Sequence, residues 1–116
     1  MPPRTSNPSF MNGVPDLLVL RLLQDREMYG YELVQTIRTA THDAISLGEG
    51  VIYPALHALE AQGFLKSRRK LVGGRTRVYY LATAAGRRRL EQMADDWTRI
   101  KDAVTGVIEG GAYAET

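Results

Sequence analysis

The last quarter of the chain sets the strongest constraint on its fold. Apolar residues fall at Leu90, Met93, Trp97, Ile100, Val104 and Val107, with spacings of 3, 4, 3, 4 and 3. That is an uninterrupted heptad seam, the pattern by which one helix packs lengthwise on another. It predicts a long helix with Thr83 as N-cap, running to about Glu109 and ended by Gly110-Gly111. The body that precedes it is too small to cover such a helix along its length. A second copy related by two-fold symmetry is the simplest partner, which makes the six seam residues candidates for a dimer interface.

At 116 residues the chain holds one domain, which excludes two-domain enzymes, eight-fold α/β barrels and long repeat arrays. The expected organisation is a flexible arm over residues 1–9, a folded body over 10–82, the long helix over 83–109 and a flexible tail over 110–116. Asn12-Gly13-Val14-Pro15 is a helix-entry signal, and the leucines after it predict a first helix over Val14 to Asp25, buried on more than one side. Met28 to Gly30 reads as a short break. A second helix is expected from Tyr31 to Thr41, with Leu33, Val34 and Ile37 as its apolar stripe. A third starts near Gly50 and stops at Gly63, burying Ile52, Ala55, Leu56 and Leu59. Pro54 is tolerable if it falls in the first turn.

The period then changes. Phe64 to Val72 and Arg77 to Ala82 read as two strands joined through Gly73-Gly74, a hairpin with a glycine tip. The fold class is therefore mainly α with a β-hairpin, a winged helix-turn-helix followed by a dimerisation helix.

The charge follows this division. The net charge is only +2, from 15 basic and 13 acidic residues. Residues 66 to 89 nevertheless carry nine cations and no acid, leaving six basic and thirteen acidic residues elsewhere, so +9 is set against −7. A basic cluster on one third of a small domain is an electrostatic footprint for an anionic partner, and a solvated charged face is the plainer alternative. The third helix has a face with Tyr53, His57, Ala58 and Gln62 free to enter a major groove. The tip Gly73-Gly74-Arg75-Thr76-Arg77 brings backbone close while its arginines reach phosphate or a narrow minor groove. Arg87, Arg88 and Arg89 spread around a helix, with one or two expected to pair with Glu91 or with a partner's acids.

Other chemistry has little to stand on. Without cysteine there is no disulfide scaffold, thiolate metal site or catalytic thiol. His42 and His57, the two histidines, would need Asp43 or Glu49 to make a metal site, and none is expected. No nucleophile triad, phosphate-binding glycine loop or apolar carboxylate pair occurs, so neither enzyme activity nor a cofactor is implied. The unbroken aliphatic run from Leu17 to Leu20 is far short of the ~20 residues that span a membrane. Met1 to Pro8, with three prolines, does not resemble a secretory signal, and the expected location is the cytoplasm.

Tyr29-Gly30-Tyr31-Glu32-Leu33 resembles the GYEL signature of the PadR family of bacterial transcriptional regulators. The stretch from Gly50 to Glu60, G-V-I-Y-P-A-L-H-A-L-E, is similar to its G-T-L-Y-P-A-L-H-R-L-E recognition helix, and Gly63-Phe64-Leu65 to the G-L-I after it. Arg75 to Tyr80 resembles the wing strand, and Thr83 to Gly86 the T-E-A-G start of the last helix. The blocks cover roughly residues 13 to 108, and the single C-terminal helix resembles the smaller subgroup.

The resemblance implies a homodimeric repressor on a near-palindromic DNA operator, released by a small molecule. DNA contacts would come from Tyr29, Gly30 and Tyr31, from Tyr53, Pro54 and His57, and from Arg69, Lys70, Arg75 and Arg77 on the wing. Some relatives hold a planar aromatic ligand between paired tryptophans, so Trp97, with Met93 and Ile100, is the candidate effector site, against plain interface packing. A hinge between the last helix and the body is the expected route of release. Three positions depart from the family: Val51 for Thr or Ser, Glu49 for Pro, and Ala82 for Leu, where looser packing is expected. Two rival readings remain, a winged-helix adaptor that binds an acidic protein, and a dimer whose purpose is ligand sequestration without DNA.

Overall fold

In the computed structural model, which describes residues 13–110, the chain runs α1 (Val14–Asp25), β1 (Met28–Tyr29), α2 (Gly30–Ala40), α3 (Glu49–Ala61), β2 (Leu65–Val72), β3 (Arg75–Ala82) and α4 (Ala84–Ile108). The arm over residues 1–9 and the tail past Gly110 lie outside the described residues. α1 has the expected bounds, with a proline in its first turn, where the missing N–H has no helical partner to lose. Val19, Leu20 and Leu23 are buried, and Leu17, Leu18 and Leu22 pack against the same core. This is why the helix is apolar around most of its circumference: it touches α3, α4 and β3 at once.

Met28 and Tyr29 form a strand, where the sequence suggests only a break. They pair antiparallel with Tyr80 and Tyr79, giving a three-stranded sheet in the order β1-β3-β2. α2 begins and ends one residue earlier than expected, with Thr41 as its C-cap. The Thr41 hydroxyl donates to the Ile37 carbonyl at 2.8 Å and accepts the Ile45 N–H at 3.0 Å. This ties the turn in which His42 and Asp43 take left-handed φ of 52° and 65°.

α3 buries Ile52, Leu56 and Leu59. Pro54 lies inside this helix, past its first turn, and cannot donate to the Gly50 carbonyl. Gly50 is exposed, so water can take that bond. Val51 is half-buried against the core, so at this position the chain gains packing where a hydroxyl would bring polarity. Glu49 opens the helix, where a negative charge favours the dipole. Ala82 is 4% exposed and belongs to the core, with no looseness at that point.

β2 and β3 pair from Leu65 with Ala82 out to Val72 with Arg75. Gly73 and Gly74 both adopt positive φ, 59° and 79°, as a two-residue hairpin turn of matching twist demands. β3 starts at Arg75, two residues earlier than expected, so both tip arginines belong to the strand.

Thr83 caps α4 by accepting the Gly86 N–H at 3.0 Å. The joint to the body is close. The Thr83 hydroxyl donates to the Gly63 carbonyl at 2.7 Å, and the Thr83 N–H donates to the Phe64 carbonyl at 3.0 Å. A Cβ at position 86 would collide with the Phe64 carbonyl oxygen. The expected hinge is thus a packed contact in this structure. Arg87, Arg88 and Arg89 make no ion pair among the described residues, and Arg89 instead reaches Gln92 at 3.5 Å. Gly86→Ala should lower unfolding free energy by about 1–3 kcal/mol through overpacking, read as a lower urea midpoint. An unchanged midpoint would show that the joint yields freely.

Candidate nucleic-acid interface

α2, its left-handed turn and α3 form a helix-turn-helix whose second helix buries one face and bares the other. Gly50, Pro54, His57, Ala58 and Ala61 are exposed along α3, a strip of mostly small residues that leaves room for base edges. Tyr53 stands apart from this strip. Its half-buried ring lies on the backbone of Gly30, where a side chain would come within 2.5 Å of its Cζ. Gly30 itself is buried. It admits the Tyr53 ring and so lets α2 and α3 approach. Tyr31, one residue on, is half exposed and available.

The hairpin divides the basic residues between two faces, because alternate side chains point oppositely from a strand. On the side toward α3, Arg69 lines a cleft with His57, Glu60, Ser67, Val78 and Tyr80, and Arg68 borders it as well. The Ser67 hydroxyl donates to Glu60 at 2.6 Å and joins the hairpin to the recognition helix. Burial, then the charge of Glu60, pushes the Tyr80 hydroxyl up from its ordinary value, so it stays protonated. Arg75 is exposed beside the turn.

The opposite face is occupied by its own contacts. Tyr29 meets Tyr79 edge-on at 5.3 Å, with the Arg77 guanidinium 4.4 Å from the Tyr29 ring centre. Lys70 lies 4.3 Å from the Tyr79 ring centre and donates to Glu27 at 2.6 Å. Arg68 grips the same carboxylate with two bonds of 2.9 Å. Lys70 is thus a half-buried partner of Glu27 and Tyr79. Tyr29 and Arg77 are likewise half-buried in this stack. Glu27, Arg68 and Tyr79 were not among the expected site residues; their contact joins residues 41 and more positions apart, for which the sequence carries no local signal.

α4 carries the other candidates. Leu90 is buried and Met93 packs on the core, while Trp97, Ile100, Val104 and Val107 are 46 to 64% exposed. Met93, Trp97 and Ile100 do come together. With Gly13, Val14, Leu17, Arg89 and Asp96 they line a groove of about 330 Å³ between the start of α1 and α4. Nearby, burial raises the Asp16 carboxyl, opposed by the Arg89 charge. No group of three or more potential metal ligands occurs among the described residues. No helix among them is long and apolar enough to cross a membrane.

Hydrogen bonds from Arg68 and then Lys70 hold the Glu27 carboxyl at about 2, against an ordinary 4.5. A carboxylate depressed on folding contributes stability fully above the unfolded value and loses it as pH falls toward the folded one, here from 4.5 toward 2. Carboxyl-detected NMR should therefore place the Glu27 midpoint near 2. A midpoint in the ordinary carboxylate range would show that the contact does not persist in solution.

Comparison with known proteins agrees with the geometry. Residues 19–92 match the family described as the transcriptional regulator PadR-like family. The transcriptional regulator Rv3488 of Mycobacterium tuberculosis is 36% identical over 104 residues, spanning 90% of this chain and 92% of its own. A PadR family transcriptional regulator from Eggerthella lenta superposes with a TM-score of 0.75 at 32% identity, covering 88% of each chain. A transcriptional regulator from Clostridium thermocellum reaches a TM-score of 0.79 at 28% identity, over 84% of this chain and 96% of its own. The chain belongs to the PadR-like family and is a winged-helix, DNA-binding transcriptional regulator, with no enzymatic role.

Proposed function

We infer that the protein is a homodimeric repressor whose two recognition helices enter successive major grooves of a near-palindromic operator, roughly 34 Å apart. The observation that carries this reading is the bare seam of α4. Ile100, Val104 and Val107 lie at heptad spacing with half or more of their surface exposed among the described residues. A helix of this kind buries its seam by pairing with a copy of itself. A dimer spread over two turns of operator excludes other proteins from that stretch, which is repression by occupancy. It acts where the DNA is, in the cytoplasm.

On DNA, His57 and Pro54 would meet base edges, with Tyr31, Arg69 and Arg75 on the backbone. A neutralisation of ~6–10 phosphates per dimer would cost roughly 10³–10⁵ in affinity between 50 and 200 mM salt. Fluorescence anisotropy with a labelled duplex should show that fall, and a flat salt response would favour the adaptor reading. In the same assay Arg75→Ala should weaken all sequences alike, whereas His57→Ala should change which sequence is preferred. Val104→Asp should give a folded monomer in sedimentation, since it charges the seam without touching the core; a retained dimer would move the interface elsewhere.

The groove under Trp97 supports ligand control as a second element of the same reading. Its volume of about 330 Å³ and its tryptophan wall suit a small planar aromatic molecule. Planar dyes should quench Trp97 fluorescence and weaken operator binding together. Absence of quenching would leave Trp97 as interface packing.

A further inference from the structure

On the face of the sheet turned away from α3, Glu27 reaches across the sheet. Glu27 lies between α1 and β1, at one edge, while Arg68 and Lys70 lie on β2, at the other. The carboxylate is nonetheless bonded by both, through Arg68 Nε and a terminal guanidinium nitrogen at 2.9 Å each and Lys70 Nζ at 2.6 Å. The Glu27 side chain is 23% exposed, and that of Arg68 is 66% exposed. A two-pronged arginine contact of this shape is the one a phosphate would otherwise make, and it takes the Nε edge of the Arg68 guanidinium while Lys70 donates to the same carboxylate. Lys70 is fixed a second time, over the Tyr79 ring. Arg69 and Arg75, by contrast, make no hydrogen bond or ion pair with the described side chains.

The wing therefore holds two kinds of cation. Some are free for the nucleic-acid backbone, and two share one carboxylate, which cancels one of their two charges and holds both in place. Backbone contacts raise affinity for every sequence, whereas base contacts discriminate. A wing with all its cations free would strengthen binding to random DNA as much as to an operator.

We propose that Glu27 is a specificity-determining residue of this regulator, a built-in stand-in for phosphate that withholds Arg68 and Lys70 from the DNA backbone. The wing then engages DNA through its remaining arginines, and the share of binding energy carried by the recognition helix rises. This rests on the DNA-binding role established by the fold and family, and not on repression or ligand control.

The test is the salt dependence of binding to a random-sequence duplex, measured by anisotropy on the full chain with the fold checked by circular dichroism. Glu27→Gln should raise affinity for random duplex several-fold. It should also steepen the logarithmic salt slope by about 1–2 for each protomer bound, since each added phosphate contact contributes about 0.9. A purely structural clamp would instead lower affinity for all sequences, and that result, or an unchanged slope, overturns the proposal. Arg68→Gln in the otherwise unaltered protein should leave the slope unchanged. A drop of about 0.9 per protomer would show that Arg68 already contacts phosphate, and overturns the proposal even if Glu27→Gln fails to fold. No salt-dependent binding by the unaltered protein would overturn the DNA-binding account itself, together with this proposal.

Discussion

The carbonyl of Phe64 sits at the end of the recognition helix and accepts the backbone N–H of Thr83, the cap of the long helix. One turn later Gly86 presses against the same carbonyl so closely that no side chain fits between them. Two elements separated by a whole hairpin are thereby held together at one point. In the dimer we propose, α3 would carry the surface that reads DNA and α4 the seam that a partner covers. The spacing of the two recognition helices would then be set by how firmly these helices are joined. A loose joint would allow many spacings and little discrimination; a close one would allow few. Ligand control acting through the groove near Trp97 would then have to move α4 and α3 together, because the first turn of α4 offers no slack.

Electrostatics has the same economy. The chain is nearly neutral overall, yet residues 66 to 89 concentrate nine cations without an acid. In three dimensions that block is no uniform patch. Arg69 faces the recognition helix, Arg75 stands at the tip, Arg68 and Lys70 are taken by Glu27, and Arg77 rests on Tyr29. Counting charges along the sequence overstates what the wing can offer to phosphate. The acid that corrects the count lies far away in the chain, before β1.

What could be read from the sequence was whatever is local. α1 has the expected bounds, Thr83 caps α4, the two glycines turn the hairpin, and the heptad residues beyond Met93 stand out from the body. Each depends on neighbours within a turn or two, so periodicity and capping chemistry reveal them. The failures share the opposite property. The two-residue strand at Met28 exists only because Tyr79 and Tyr80 pair with it, and no pattern of two residues can announce that. Gly30 is buried because Tyr53 of another helix covers it. Likeness to family motifs picks out segments but does not say which side chains face outward: Gly30 lies under Tyr53, and Lys70 is held by Glu27.

The central claim is that a pair of recognition helices, set by α4 pairing, reads two half-sites on one face of the duplex. Hydroxyl-radical footprinting on a sequence selected by the protein from a random pool tests it most directly. The account predicts two protected patches whose centres lie about 10–10.5 base pairs apart on the same face. A single patch, or two patches on opposite faces, would contradict it.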